Sequence, residues 1–275
     1  MPEGPEIWST ADQLRNALQD KRITDFQFAF DELKKYEPKL KGQSVTNVEA
    51  RGKAILTFFE DDFVMYSHNQ LYGKWMVRDQ GQKPDTNRSL RVTIENDEHS
   101  AYLYSASDVE MLSKSEVQEH SYIKKLGPDV LHPDTTYEDI IGQYQDEEFQ
   151  NRKLTTLLLD QGFISGIGNY LRSEIMFYAN VRPQQKLKKY TDNEKEALAK
   201  ATVKLSERSY ETGGITNDPG IVEALKRENA GYKEYRHFVY NRTGNRCHKC
   251  GTEIEEDKTG GRKIYFCPRC QLDEF

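Results

Sequence analysis

Near its C-terminus the chain reads Cys247-His248-Lys249-Cys250 and, sixteen residues later, Cys267-Pro268-Arg269-Cys270. These are all 4 cysteines of the 275 residues. The C-x2-C…C-x2-C spacing is that of a zinc site. Four thiolates satisfy tetrahedral Zn2+, and each short knuckle presents two sulfurs on one side. Between the knuckles, the strand-like runs Glu253–Lys258 and Lys263–Phe266 flank Thr259-Gly260-Gly261-Arg262. Glycines there supply the positive φ that a hairpin tip needs. Residues 236–270 therefore read as a zinc-ribbon β-hairpin finger. Cys247, Cys250, Cys267 and Cys270 are the expected ligands of one structural zinc, and His248 is left out because four sulfurs complete the shell. Two disulfides are the alternative, disfavoured in a cytosolic chain. A closed four-sulfur site does no chemistry of its own, so its expected task is to hold the tip, and hence Arg262, rigidly.

Upstream of the finger the pattern is helical, over 135–145, 151–160, 169–179 and 191–211. Thr191 with Glu194 three residues on forms a capping box for the last of these. Between two helices lies Gln161-Gly162-Phe163-Ile164-Ser165-Gly166-Ile167-Gly168-Asn169. Glycine amides just before a helix start at Asn169, added to the helix dipole, make an anion site. An ordinary helix–helix turn is the alternative. Residues 212–230 are Gly- and Asn-rich and poorly patterned, so a mobile loop is expected there.

Ahead of Leu126-Gly127-Pro128-Asp129 the character changes. Residues 5–19 look helical, with Pro5 in the first turn and Ile7, Ala11, Leu14, Ala17 and Leu18 at helical spacing. Then come short β-like runs, Ile23–Phe30, Ser44–Phe59, Phe63–Ser67, Trp75–Arg78, Leu90–Glu95 and Ala101–Tyr104, separated by Gly, Asp, Asn and Pro. Such a series predicts an antiparallel sandwich or barrel. The fold class is therefore α+β. A β-sandwich domain with an N-terminal helix spans 1–127, a helical domain 128–230, and the finger 236–270.

Composition agrees with a folded chain: 16 Tyr, 12 Phe and 2 Trp can fill cores, and disordered chains are poor in aromatics. No stretch approaches the ~20 apolar residues of a membrane span. The opening Met1-Pro2-Glu3-Gly4-Pro5-Glu6 lacks the apolar region of a secretory signal, so a cytoplasmic protein is expected. The net charge of −6 is uneven. Residues 1–149 hold 17 Lys+Arg against 28 Asp+Glu, and residues 150–275 hold 22 against 17. A basic half of this kind suits a polyanion.

Pro2 carries a second possibility. A small second residue permits removal of Met1, which exposes a secondary amine. An α-amine titrates near ~7.7–8.0, and a following helix dipole lowers this further. An unprotonated amine can attack an electrophilic carbon and form an iminium, and Glu3 and Glu6 lie beside it for acid–base work. The plain alternative is a helix start, where acids are favoured by the dipole. Lys53 in Arg51-Gly52-Lys53 is either a snorkelling surface residue or a catalytic cation.

Taken in order, Pro2-Glu3-Gly4-Pro5-Glu6, Arg51-Gly52-Lys53, Leu126-Gly127-Pro128-Asp129, Gly166-Ile167-Gly168-Asn169-Tyr170 and the finger with Arg262 resemble the formamidopyrimidine-DNA glycosylase / endonuclease VIII family. The resemblance runs from residue 2 to 270. Ser67-His68-Asn69-Gln70-Leu71-Tyr72-Gly73 and Tyr104-Ser105-Ala106-Ser107-Asp108 look like the endonuclease VIII branch. Ile215-Thr216-Asn217-Asp218, after Gly213-Gly214, departs from the 8-oxoguanine branch.

The resemblance implies a helix-two-turn-helix motif in the helical domain and a bifunctional DNA glycosylase / AP lyase of base-excision repair. Damaged double-stranded DNA is its partner, and a monomer in the bacterial cytosol or nucleoid is expected. It implies that the lesion is flipped out of the duplex. Pro2 attacks C1′ of the sugar and Glu3 donates a proton as the ring opens; Glu6, beside them, is read from its position as a candidate acid or support. Lys53 contacts phosphate and serves in β-elimination, and Arg262 clamps phosphate and assists δ-elimination. Gly168 and Asn169 hold the backbone, while Gln70, Leu71 and Tyr72 fill the hole left by the flipped base. Lys125 stands where family members often have an arginine, so its phosphate contact is monodentate. Oxidised pyrimidines are the expected lesions. The alternatives are a purine-lesion (8-oxoguanine/formamidopyrimidine) enzyme and a non-catalytic zinc-ribbon DNA-binding protein.

Overall fold

The computed structural model describes residues 2–259 and 261–271. The expected loss of Met1, and Gly260 of the finger tip, lie outside the described residues. The chain divides into two compact units, Met1–Lys125 and Leu126–Phe275.

The first unit opens with helix α1, Gly4–Leu18. Pro5 presets φ in its first turn, and the Glu6 carboxylate accepts the Glu3 backbone N–H at 3.0 Å, so an otherwise orphaned donor is satisfied. Ile7, Ala11, Leu14 and Leu18 fall on one face and are buried. The helix stops at Gln19, and Asp20 turns the chain with φ +59.

Eight strands follow: β1 Asp25–Phe28, β2 Val45–Arg51, β3 Ala54–Phe59, β4 Val64–His68, β5 Lys74–Asp79, β6 Leu90–Glu95, β7 His99–Tyr104 and β8 Asp108–Leu112. A short helix α2, Glu37–Leu40, follows β1. All pairings are antiparallel, in two four-stranded sheets of order β1-β6-β7-β5 and β2-β3-β4-β8. One apolar core takes Phe26, Trp75, Ile94 and Leu103 from the first sheet and Val48, Ile55, Phe59 and Met65 from the second, with α1 packed into it. Each such burial is worth about 1.5–3 kcal/mol. The expected sandwich is therefore present. The run read as one β segment, Ser44–Phe59, is two strands folded back at Gly52-Lys53, with Arg51 opposite Ala54. Strand β8 carried no sequence signal. It is an acidic strand that pairs only with β4.

The second unit holds α3 Tyr137–Gln145, α4 Leu154–Leu157, α5 Asn169–Tyr178, α6 Asp192–Glu211, α7 Pro219–Arg227, α8 Tyr232–Tyr235, the hairpin β9 Glu255–Thr259 and β10 Arg262–Phe266, and α9 Pro268–Gln271. The Thr191–Glu194 capping box is formed as expected, with Thr191 Oγ1 accepting the Glu194 N–H at 3.3 Å and Glu194 Oε2 accepting the Thr191 N–H at 2.7 Å. The helix expected over 151–160 shrinks to a single turn, α4. The mobile loop expected over 212–230 is replaced by ordered structure. Pro219 starts α7, Val222 is buried, and Thr216 and Asn217 are fully buried. Gly220 and the neighbouring Asn residues had hidden that helix.

Helices and finger share one core. Leu157, Phe163, Ile167, Leu171, Ile175 and Leu205 are continuous with Phe238, Ile254 and Ile264. The segment before α5 is tight. A Cβ on Gly127 would lie 2.6 Å from the carbonyl oxygens of Gly162 and Phe163, so only glycine fits there.

Candidate active site

In the first unit, Glu3 occupies the N-cap of α1 with extended backbone and is 3% exposed. Pro2 precedes it and is half-buried. Glu6 spends one carboxylate oxygen on the Glu3 N–H, as half of the α1 capping box.

Lys53 sits in a two-residue hairpin loop and is 7% exposed, so it is not a snorkelling surface lysine. Gly52, with φ +59, is the first loop residue, as a II′ turn requires. The Tyr122 hydroxyl oxygen accepts the Lys53 backbone N–H at 2.9 Å.

His68 ends β4, and its Nδ1 accepts the Gln70 N–H at 2.9 Å. Burial lowers the His68 pKa, and the Lys53 cation adds to this while Asp108 opposes it. A neutral ring with Nδ1 accepting carries its proton on Nε2. Gln70 takes φ +48, its side-chain oxygen accepts from Ser107 Oγ at 2.9 Å, and Leu71 and Tyr72 beyond it are 56% and 67% exposed. Two large apolar side chains on a loop tip are an unusual exposure. The loop is closed by Gly73, where a Cβ would lie 2.5 Å from the Asn69 carbonyl oxygen. Arg88 Nη1 donates to the Tyr72 carbonyl at 2.5 Å. Lys125 is exposed at the end of this unit.

In the second unit, Asn169 begins α5, with Gly168 as N-cap. The Gly166 amide is not open as expected. It donates to Gln161 Oε1 at 3.1 Å. Asn169 Nδ2 donates to the Lys263 carbonyl at 3.1 Å, and Asn169 Oδ1 accepts from Arg172 Nη2 at 2.7 Å. Arg172, fully buried, also donates to the Lys263 and Thr155 carbonyls at 2.8 and 3.0 Å. Helix start and finger hairpin are thereby tied one residue from Arg262, which is exposed at the head of β10.

Sequence reasoning missed Arg172 and Glu174. Glu174 is fully buried and accepts the N–H groups of Phe238, Val239 and Tyr240 at 2.7–2.8 Å, and the Thr216 hydroxyl at 2.5 Å. Burial raises its pKa, and these four donors pull it back down. An acceptor-only carboxylate is the form that matches four donors. Every residue from Tyr170 to Phe177 is buried, so the charges inside that run must be paired.

The four cysteine sulfurs lie within 4.8 Å of one another. Cys247 Sγ is 3.9 Å from Cys270 Sγ, and Cys250 Sγ is 3.4 Å from Cys267 Sγ. All four thiols are free, which removes the disulfide alternative. A tetrahedron of ~2.3 Å Zn–S bonds has edges of about 3.8 Å, so the donor set fits one structural zinc. His248 is otherwise engaged. Its Nδ1 meets Asn217 Nδ2 at 2.8 Å, and burial, helped by Arg242, lowers its pKa to about 4.

Three family models match in chain order: the formamidopyrimidine-DNA glycosylase N-terminal domain over residues 1–106, its H2TH domain over 126–219, and the zinc finger found in FPG and IleRS over 244–272. The chain is 42% identical over 271 residues to Endonuclease 8 of Shigella sonnei (strain Ss046) and of Escherichia coli (strain K12 / DH10B), covering 98% of this chain and 100% of each relative. A crystal structure of Lactococcus lactis formamidopyrimidine-DNA glycosylase, bound non-covalently to DNA containing an AP site, superposes with TM-score 0.80 at 20% identity, covering 98% of this chain and 100% of that one. The same enzyme with DNA containing FAPY-dG also matches with TM-score 0.80. The fold and the finger define a zinc-ribbon DNA-repair enzyme of the H2TH class. The chain belongs to the formamidopyrimidine-DNA glycosylase / endonuclease VIII family, and it is a DNA glycosylase with AP lyase activity in base-excision repair.

Proposed function

We infer that the substrate is damaged duplex DNA carrying an oxidised pyrimidine, and that Pro2 is the nucleophile. The Pro2 nitrogen attacks C1′ of the flipped nucleotide, and the C1′–base bond breaks with the electron pair leaving on the base. Glu3, buried beside Pro2, donates the proton that opens the sugar ring. The resulting iminium acidifies the adjacent sugar C–H, and loss of that proton expels the 3′ phosphate. Lys53 serves as the proton donor of this β-elimination. A second, δ-elimination releases the 5′ phosphate, with Arg262 holding it.

Asn169 and the Gly168 amide bind the strand backbone, where the α5 dipole adds positive potential. Lys125 contributes a point charge. Leu71 and Tyr72 fill the gap left in the duplex, offsetting stacking losses of a few kcal/mol. The chain acts as a monomer in the cytoplasm.

The observation that carries this reading is the burial of Glu3, 3% exposed, at the start of α1 directly after Pro2. The α1 capping box fixes this carboxylate at the helix start, next to Pro2 in the chain. The 42% identity to Endonuclease 8 relatives supports the pyrimidine preference. Single-turnover excision from duplexes containing thymine glycol or 8-oxoguanine tests it. Faster release of thymine glycol is expected, and faster release of 8-oxoguanine overturns the assignment in favour of the purine-lesion reading.

A further inference from the structure

Tyr122 touches two parts of the first unit that are separate in sequence. Its hydroxyl oxygen accepts the Lys53 backbone N–H at 2.9 Å. In a two-residue hairpin loop the flanking residues bond each other, so the N–H of the second loop residue looks outward for its acceptor. Lys53 is that residue, and it is buried. A buried donor fixed by a phenol sets the direction in which the lysine side chain leaves the backbone.

The ring of Tyr122 has a second partner. It meets the His68 ring edge-on, with centroids 5.3 Å apart and planes at 77°, and it lies 6.2 Å from the Tyr66 ring. His68 sits opposite Ala54, the residue after Lys53, in the β3–β4 register. Its Nδ1 in turn holds the Gln70 N–H at the root of the exposed Leu71-Tyr72 tip. Gln70 has φ +48, a conformation that a non-glycine residue keeps only when its surroundings hold it there.

We propose that Tyr122 is a positioning residue for both the Lys53 amine and the Gln70–Tyr72 insertion loop, its hydroxyl serving the first and its ring the second. This rests on the roles given above to Lys53 and to that loop. The two outputs separate by substitution. Tyr122→Phe keeps the ring and removes the hydroxyl from the Lys53 N–H. Tyr122→Leu removes both the hydroxyl and the wall against which His68 is set.

The test uses the full chain, with saturating duplex that holds a preformed abasic site and an adjacent 2-aminopurine. For Y122F the β-elimination rate constant is expected to fall about tenfold. The borohydride-trapped fraction, the duplex concentration at half-saturation and the 2-aminopurine response should stay at wild-type values. Y122L is expected to lose the 2-aminopurine response as well. K53L is the reference. If K53L eliminates slowly and Y122F at the wild-type rate, the positioning role is overturned while the Lys53 assignment stands. If K53L itself eliminates at the wild-type rate, the Lys53 assignment is overturned and the positioning role falls with it.

Discussion

The side-chain amide of Asn169 donates to the backbone carbonyl of Lys263 at 3.1 Å, joining the first residue of α5 to the second residue of β10. The same carbonyl takes Arg172 Nη2 at 2.8 Å. The finger is thereby pinned one residue from Arg262 by two polar side chains of the helix.

Asn169 thus places the finger, and the proposed function gives it strand binding as a second task. Asn169→Ala should weaken DNA binding about fivefold to tenfold, equivalent to about 1 kcal/mol for a lost hydrogen bond. Asn169→Asp should weaken it further, since it removes the donor to Lys263 and adds a negative charge beside the strand. Arg262→Ala should abolish δ-elimination with a smaller loss of base release. Gel-shift titration and product analysis on denaturing gels measure both. Equal affinity for N169A and N169D would refute the electrostatic part.

Removal of the metal should act through the same link. Ile264 and Tyr265 of the hairpin belong to the core shared with α5, so loosening the knuckles loosens the hairpin that carries Arg262. Elemental analysis should give one zinc per chain, and exhaustive chelation should abolish strand cleavage. A metal-free sample that still cleaves at the full rate would show that the finger is dispensable.

Glu174 should matter to stability far more than its distance in sequence from its partners suggests. Glu174→Ala strands three consecutive N–H groups, two of them buried, and should cost about 3 kcal/mol or more, and Glu174→Gln, which keeps one acceptor oxygen, should cost less. Urea denaturation at neutral pH decides this. A loss for E174A below about 0.5 kcal/mol, the range of ordinary surface changes, would contradict the assignment.

His237 should give the second unit an acid sensitivity. It is stacked on Tyr170, its Nδ1 is 2.9 Å from Thr216 Oγ1, and burial, with Arg236 and Arg242 adding, lowers its pKa well below 6.5. The unfolded chain takes a proton there near pH 6.5 and the folded chain does not. Stability from this group is thus full above pH 6.5 and declines as pH falls, by up to about 1.4 kcal/mol per pH unit. Glu174, with its raised pKa, changes stability in the opposite sense, being favoured as pH falls. The comparison is therefore wild type against His237→Gln, which retains Glu174. Between pH 7.5 and 5.5 the wild type should lose stability relative to H237Q, and parallel curves would rule the effect out.

Much of the fold was legible because its signals are local. Alternation and glycine punctuation mark most of the strands, and Thr191-x-x-Glu194 marks the start of α6. Strand β8 escaped because Asp108-Val109-Glu110-Met111-Leu112 is an acidic strand with one ladder partner. Helix α7 escaped because Gly220 and the Asn residues on either side of the helix read as turn and loop residues. The cysteine site is likewise local and was read in full. Arg172, Glu174 and Tyr122 were not, because their meaning lies in contacts that span up to 91, 66 and 69 residues of chain. Burial of a charge or a phenol against a distant backbone group leaves no periodic trace.

The proposed chemistry requires the Pro2 nitrogen to become bonded to the sugar. Borohydride reduction of the full-length protein on abasic-site duplex, followed by peptide mass mapping, tests it most directly. One stable protein–DNA adduct is expected, located on Pro2 and missing from any fraction that retains Met1, where the Pro2 nitrogen is an amide. An adduct on a lysine side chain such as Lys53, or no adduct under conditions where the strand is cut, would contradict it.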